Sequence, residues 1–220
     1  TVVEGDRPNT ATYEPFTPSA NYHTASFEHP VKTETTYMIA IYEPANRTGP
    51  VGVTIGYREK WAPSEYLTLP FDIVRVHLWE GQHPLLAIGP FFLTILAGIG
   101  LVRRQSHGEW GRIPIRIALT GAGLLMIGTG VNTAVQTSIA LAETGLTLGA
   151  LVTTMFVLVP VVGGSWVVWL VLQTECRLTS ARRGGLAVTG VLALLAGGGF
   201  VIAPAILVGL AVAPSRLLAD

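Results

Sequence analysis

Four long apolar runs, residues 84–102, 117–141, 148–172 and 186–213, follow a stretch of mixed polarity. Each is close to the ~20 residues that carry an α-helix across bilayer hydrocarbon, so the pattern predicts four transmembrane helices. The links between the runs differ in charge. Arg103, Arg104, Arg112 and Arg116 separate the first two runs, and Arg177, Arg182 and Arg183 the last two; Ala142 to Thr147 holds one charge, Glu143. Short Arg-rich links stay cytoplasmic. That predicts both arginine links inside, with the N-terminal region and a C-terminal tail, 214–220, on the extracytoplasmic side.

Residues 1–63 read as an exported β-rich domain. Thr36 to Tyr42 is rich in β-formers, Val51 to Tyr57 alternates with period two, and Glu43 to Pro50 between them is turn chemistry, which together predict an antiparallel hairpin. Tyr13 to Phe16 and Tyr22 to Phe27 predict further short strands, with Pro15, Pro18 and Pro30 confining them to edges. So small a sheet buries little. A preceding segment or another subunit is therefore expected to complete it, and an upstream signal is expected for its export. The 36–57 hairpin is similar to the closing hairpin of secreted β-sandwich modules such as the pre-peptidase C-terminal type, a resemblance that implies a sandwich-like domain and no activity. Asn46-Arg47-Thr48 is a candidate N-glycosylation site in the predicted turn.

Residues 64–83 predict an interfacial elbow. Phe71, Val74 and Leu78 share one helical face, Asp72 and Arg75 are spaced to pair, and Trp61, Tyr66 and Trp79 suit the headgroup level. His83-Pro84 opens the first run, with proline well placed at a helix start.

Small residues recur at four-residue spacing within the runs. Gly185, Thr189, Ala193 and Gly197 form one predicted ridge, and Gly130, Ala134 and Ser138 another, each allowing close helix packing. Gly163-Gly164, Gly197-Gly198-Gly199, Pro160 and Pro204 predict kinks or tight contacts. Thr129, Asn132, Thr133 and Gln136 form a polar face on the second run. In hydrocarbon such groups need partners, so they are expected to face Thr153 and Thr154 of the third run, or another subunit. Interhelical bonding is the favoured reading, and a small polar binding site or permeation path the alternative.

Composition sharpens the functional picture mainly by exclusion. Half of the residues are hydrophobic, mean hydropathy is +0.50 and 13% are charged, which places the chain with membrane proteins. The formal net charge of zero leaves no basic excess for nucleic acid. No Asp, Glu, Lys, Arg or His lies inside any of the four runs. Proton relays, voltage sensors and membrane-embedded haem all place ionisable or histidine groups there, so each becomes less probable. His77, Glu80 and His83 are candidate Zn or Cu ligands at the membrane boundary, the competing reading being interfacial polar residues; His23, His29 and His107 lie apart from them. Ser165 in Gly163-Gly164-Ser165-Trp166 resembles a fragment of a buried serine site. No His or Asp shares its depth to activate it, which argues against a rhomboid-like intramembrane hydrolase. Cys176 is the single cysteine, which excludes an intramolecular disulfide and leaves a free or palmitoylated thiol.

The sequence therefore predicts an α+β membrane protein: a small antiparallel β domain, an interfacial elbow and a four-helix transmembrane bundle. The expected function is that of a non-catalytic subunit anchoring an extracellular β module, with the lipid bilayer and other membrane subunits, or copies of itself, as partners. The alternative is an outer-face metal- or small-molecule-binding protein using the His77/Glu80/His83 and Asn132/Gln136 clusters.

Overall fold

The computed structural model describes residues 9–22, 63–105, 114–173, 178–197 and 201–214. These form strands β1 (Thr12–Glu14) and β2 (Ser19–Asn21) and helices α1 (Pro63–Trp79), α2 (Pro84–Ala87), α3 (Gly89–Gln105), α4 (Pro114–Thr144), α5 (Leu148–Leu172), α6 (Ser180–Leu195) and α7 (Ile202–Val212). The protein is mostly helical, and α4 and α5 are long and apolar enough to cross a membrane. The predicted 36–57 hairpin and Asn46 lie outside the described residues. What is described of the head is one two-stranded antiparallel ladder, pairing Thr12 with Asn21, Tyr13 with Ala20 and Glu14 with Ser19; no sandwich forms among the described residues.

Helix α4 is the centre of the bundle, and missing side chains set how closely its neighbours approach. A Cβ built on Gly164 of α5 would lie 2.6 Å from the Gly123 carbonyl oxygen of α4, so the two backbones touch at this crossing. Further along the same pair, Gly130 meets Val157 and Val161. On another side of α4, Gly128 receives Phe91 of α3, and Gly98 of α3 receives Leu124. Leu119, Ala122 and Met126 of α4, Val167 and Leu170 of α5, Leu186 and Ala193 of α6, and Ala203 and Leu207 of α7 close one buried core.

The fourth predicted crossing does not form. Residues 186–213 divide into α6 and α7, and the chain reverses between them. The cause is local: Gly197 has φ +62°, a left-handed conformation that ends a helix and that other residues adopt only with strain. Pro204, within the first turn of α7, is placed where its missing N–H breaks no helical bond. Gly190 of α6 then lies against Pro204, Leu207 and Val208, and Arg183 donates to the carbonyl of Ala213 at 2.5 Å, so the helices run antiparallel. At 1.5 Å per residue, α6 is about 24 Å long and α7 about 16 Å, both short of the ~30 Å hydrocarbon core.

This corrects two expectations. Gly197 is not part of a packing ridge; nothing lies within 4 Å of a Cβ there, and a leucine would meet backbone strain rather than a neighbouring helix. Nor does α7 end far from the arginines. Arg103 and Arg104 end α3, Arg116 begins α4, Arg182 and Arg183 begin α6, and Ala213 is bonded to Arg183, all at one end, here termed basal. The opposite end, with the α4–α5 turn, is apical.

The first predicted crossing is also interrupted. Pro90 cannot donate to the carbonyl of Leu86, and helix α2 ends at Ala87 before α3 begins at Gly89. Upstream, α1 stops at a left-handed glycine, Gly81 (φ +86°), with Gln82 N–H bonded to the His77 carbonyl at 3.0 Å and Gly81 N–H to that of Leu78 at 3.1 Å. The reversal brings the chain onto α4. The predicted Asp72–Arg75 pair of the elbow is present at 3.6 Å on an exposed face.

Candidate functional site: the apical polar joint

The amides of α4 face α2, not α5. Breaking the helix before Pro90 frees the carbonyls of Leu86 and Ala87, and a free carbonyl in apolar surroundings is costly unless something donates to it. Gln136 Nε2 donates to Leu86 at 2.8 Å and Asn132 Nδ2 to Ala87 at 3.2 Å. Gln82 Nε2, in the turn after α1, donates to Gln136 Oε1 at 2.8 Å. Gln136 is only 3% exposed. Three side-chain amides thus bind α1, α2 and α4 at one place.

The threonine hydroxyls of the predicted polar face bond within their own helix. Thr129 donates to Leu125 at 2.6 Å and Thr133 to Thr129 at 3.0 Å, each returning its hydroxyl to the carbonyl one turn back on its own helix. Thr154 does the same toward Ala150. The expected meeting with Thr153 and Thr154 is therefore not made. Thr153, fully buried, instead shares a 2.7 Å bond with the Tyr13 hydroxyl and donates to the Pro15 carbonyl at 3.0 Å. Tyr13 packs on Gly149, and Phe16 meets Phe156 edge-on at 5.8 Å, docking the β1–β2 turn on the apical half of α5.

His77, Glu80 and His83 are not brought together as a ligand set. Nδ1 of His77, 2% exposed, faces Glu80 Oε2 at 3.5 Å. His83 uses its Nδ1 to accept from Leu85 N–H at 3.2 Å, capping α2. Among the described residues no three His, Cys, Asp or Glu side chains are placed to hold a metal ion. His23, His29, His107 and Cys176 lie outside the described residues. Ser165 is exposed on α5.

The predicted small-residue ridges serve different surfaces. Gly185 lies under Trp166 of α5, Thr189 against Gly163 and Ala193 in the core, while Gly130 meets α5. Ala134 and Ser138 line an open apolar groove between α4 and α5 with Val131, Val135, Val157 and Val161.

The joint was half visible in the sequence. Asn132 and Gln136 stand out as amides in an apolar run, and Pro90 stands in the first such run, but nothing in the sequence links one to the other. The signal to look for is a proline early in one span and amides one turn apart in the next. A double-mutant cycle tests the account. Gln136→Leu strands the Leu86 carbonyl and is expected to cost about 1–3 kcal/mol; Pro90→Ala supplies an intrahelical donor for that carbonyl. The cost of Gln136→Leu, read from unfolding in detergent, should shrink in the Pro90→Ala background, and equal costs in both would show that the pairing is incidental.

Comparison with protein-family models, with curated proteins and with solved structures finds no match, so function has to be argued from the chain's own chemistry and geometry.

Proposed function

We propose that this chain is a non-catalytic integral membrane subunit that anchors its N-terminal β module and packs within a larger membrane assembly. The observation that carries the reading is the inversion of its surface. Leu151, Met155, Leu158, Val162 and Trp169 are all exposed along α5, while Gln136, Thr120 and Thr153 are buried. Only 28% of the most apolar window of α5 is covered by the rest of the protein. A core helix of a soluble protein shows the reverse, and hydrocarbon or other helices are the covers such a face accepts. Ser165 supports a partner helix. It stands on the same exposed face, and a hydroxyl in hydrocarbon gains from an interhelical bond.

On this reading the basal arginines lie on the cytoplasmic side. The α6–α7 reversal carries the end of α7 there too, with the β module opposite. The amide joint and the Tyr13–Thr153 bond are structural, tying elbow and module to the bundle.

Two measurements test the reading. The chain should remain in the membrane pellet after alkaline carbonate washing, and its release by the wash would refute membrane integration. In mild detergent it should elute as an assembly larger than one 23.4 kDa chain with its micelle, and Val162→Cys should cross-link to a partner while Val167→Cys, buried, does not. A monodisperse monomer without cross-links would refute the subunit role.

A further inference from the structure

We propose that the exposed row on α5 packs in parallel against the α5 of a second copy of this chain, the two paired at Ser165. The proposal rests on the membrane-subunit reading above and names the partner. From Met155 to Trp169 the exposed residues of α5 are Met155, Leu158, Val162, Ser165 and Trp169, and every residue between them is half-buried or buried. Their spacing of three, four, three and four residues is that of a coiled-coil seam, one row wide. Leu151, four residues before Met155, extends the row toward the apical end. The bundle thus leaves α5 open along one narrow row over this stretch, and a single further helix closes it.

Ser165 decides what that helix is. Thr133, Thr137, Ser138 and Thr154 return their hydroxyls to the carbonyl one turn back on their own helices. Ser165 makes no such bond among the described residues, so its hydroxyl is left for a group across the seam. An acyl chain offers it nothing. Copies of one chain enter the membrane in the same orientation, because the same arginine links hold each to the same side, and a twofold axis relating two of them runs along the membrane normal. Each residue of the seam then stands at the depth of its own equivalent. A hydroxyl both donates and accepts, so a second Ser165 satisfies the first, whereas a different subunit needs a polar group of its own at this depth. The area is sufficient as well. Leu151, Met155, Leu158, Val162 and Trp169 are each more than half exposed. At roughly 100 Å² for each side chain covered, two copies together bury about 1,000 Å², the size at which a specific interface begins.

The test uses the full chain in membranes, in a Cys176→Ser background, with one cysteine at a time introduced and mildly oxidised. Leu151→Cys and Ser165→Cys are each expected to give a disulfide-linked dimer of two 23.4 kDa chains, because a parallel seam brings equivalent residues together along its length. Val152→Cys, exposed on a different face of the same turn, should not link. Equal linking at Val152 would overturn the seam in favour of random collision, and a dimer linked at Ser165 but not at Leu151 would overturn the parallel arrangement. A link from Ser165→Cys to a different protein would overturn the second copy and leave the subunit reading intact, whereas a monomer with no link at any position refutes that reading too. Energy transfer between differently labelled copies in mild detergent measures the strength of the contact. Ser165→Ala should weaken it roughly threefold, the loss of one interhelical hydrogen bond, while Ser165→Thr, which keeps the hydroxyl, should hold it. Unchanged affinity in Ser165→Ala would overturn the pairing at that residue. Should Ser165→Cys fail to fold, Leu151→Cys and the energy-transfer measurement still decide.

Discussion

A cysteine at Pro214, in a Cys176→Ser background, is expected to be shielded from membrane-impermeant thiol reagents in intact cells, together with one at Ser180, whereas Leu146→Cys is labelled. The contrast is all-or-none and separates two topologies. A single helix over 186–213 would carry residue 214 to the side of Leu146, which is 92% exposed in the apical turn. The observed reversal returns it to Arg183, at the basal end. Arg183 helps hold this geometry. It stands in the first turn of α6, where the helix dipole disfavours a cation, yet reaches the C-terminal carbonyls of α7, where the dipole favours one. Labelling of Pro214→Cys alongside Leu146→Cys would show that the hairpin opens in the membrane. Labelling at Ser180 with shielding at Leu146 would invert the whole assignment.

The second large effect concerns the α4–α5 crossing. Gly164→Ala is expected to destabilise the protein by about 1–3 kcal/mol, although alanine is the better helix former by about 1 kcal/mol. Its methyl would sit 2.6 Å from the Gly123 carbonyl oxygen and 3.0 Å from Met126 Cβ. A backbone carbonyl cannot swing aside as a side-chain tip can, so the helices must separate along a seam that the core depends on. Gly121→Ala makes the control, since it lies on the same α4 with nothing within 4 Å of the added methyl. There helix propensity acts alone, and stability should hold or rise by up to about 1 kcal/mol. Unfolding midpoints of the two variants in one detergent check both, and a stabilised Gly164→Ala would mean that the seam is looser than this geometry.

The sequence by itself determined which segments are apolar, that polar amides stand on the second run, and that arginines gather in two links. Each follows from composition along the chain, because a segment's length and hydropathy need no partner to be read. It also held the small residues that permit close approach, but a stripe of small residues names no neighbour. The tertiary structure alone decided that Gly164 meets Gly123 and that Gly185 lies under Trp166, while Gly197 meets nothing and turns the chain. A left-handed glycine and a packing glycine look the same in sequence, since both are simply the absence of a Cβ, and only the backbone path distinguishes them. The same reason hid the polar joint. Pro90 releases carbonyls on one element, Asn132 and Gln136 supply donors on another more than 40 residues later, and their match exists only once α3 packs against α4 through Gly98 and Gly128. Hydropathy counted one crossing in 186–213 because it sums residues without direction, whereas the antiparallel packing of Gly190 on Leu207 needs both halves of the run folded against each other.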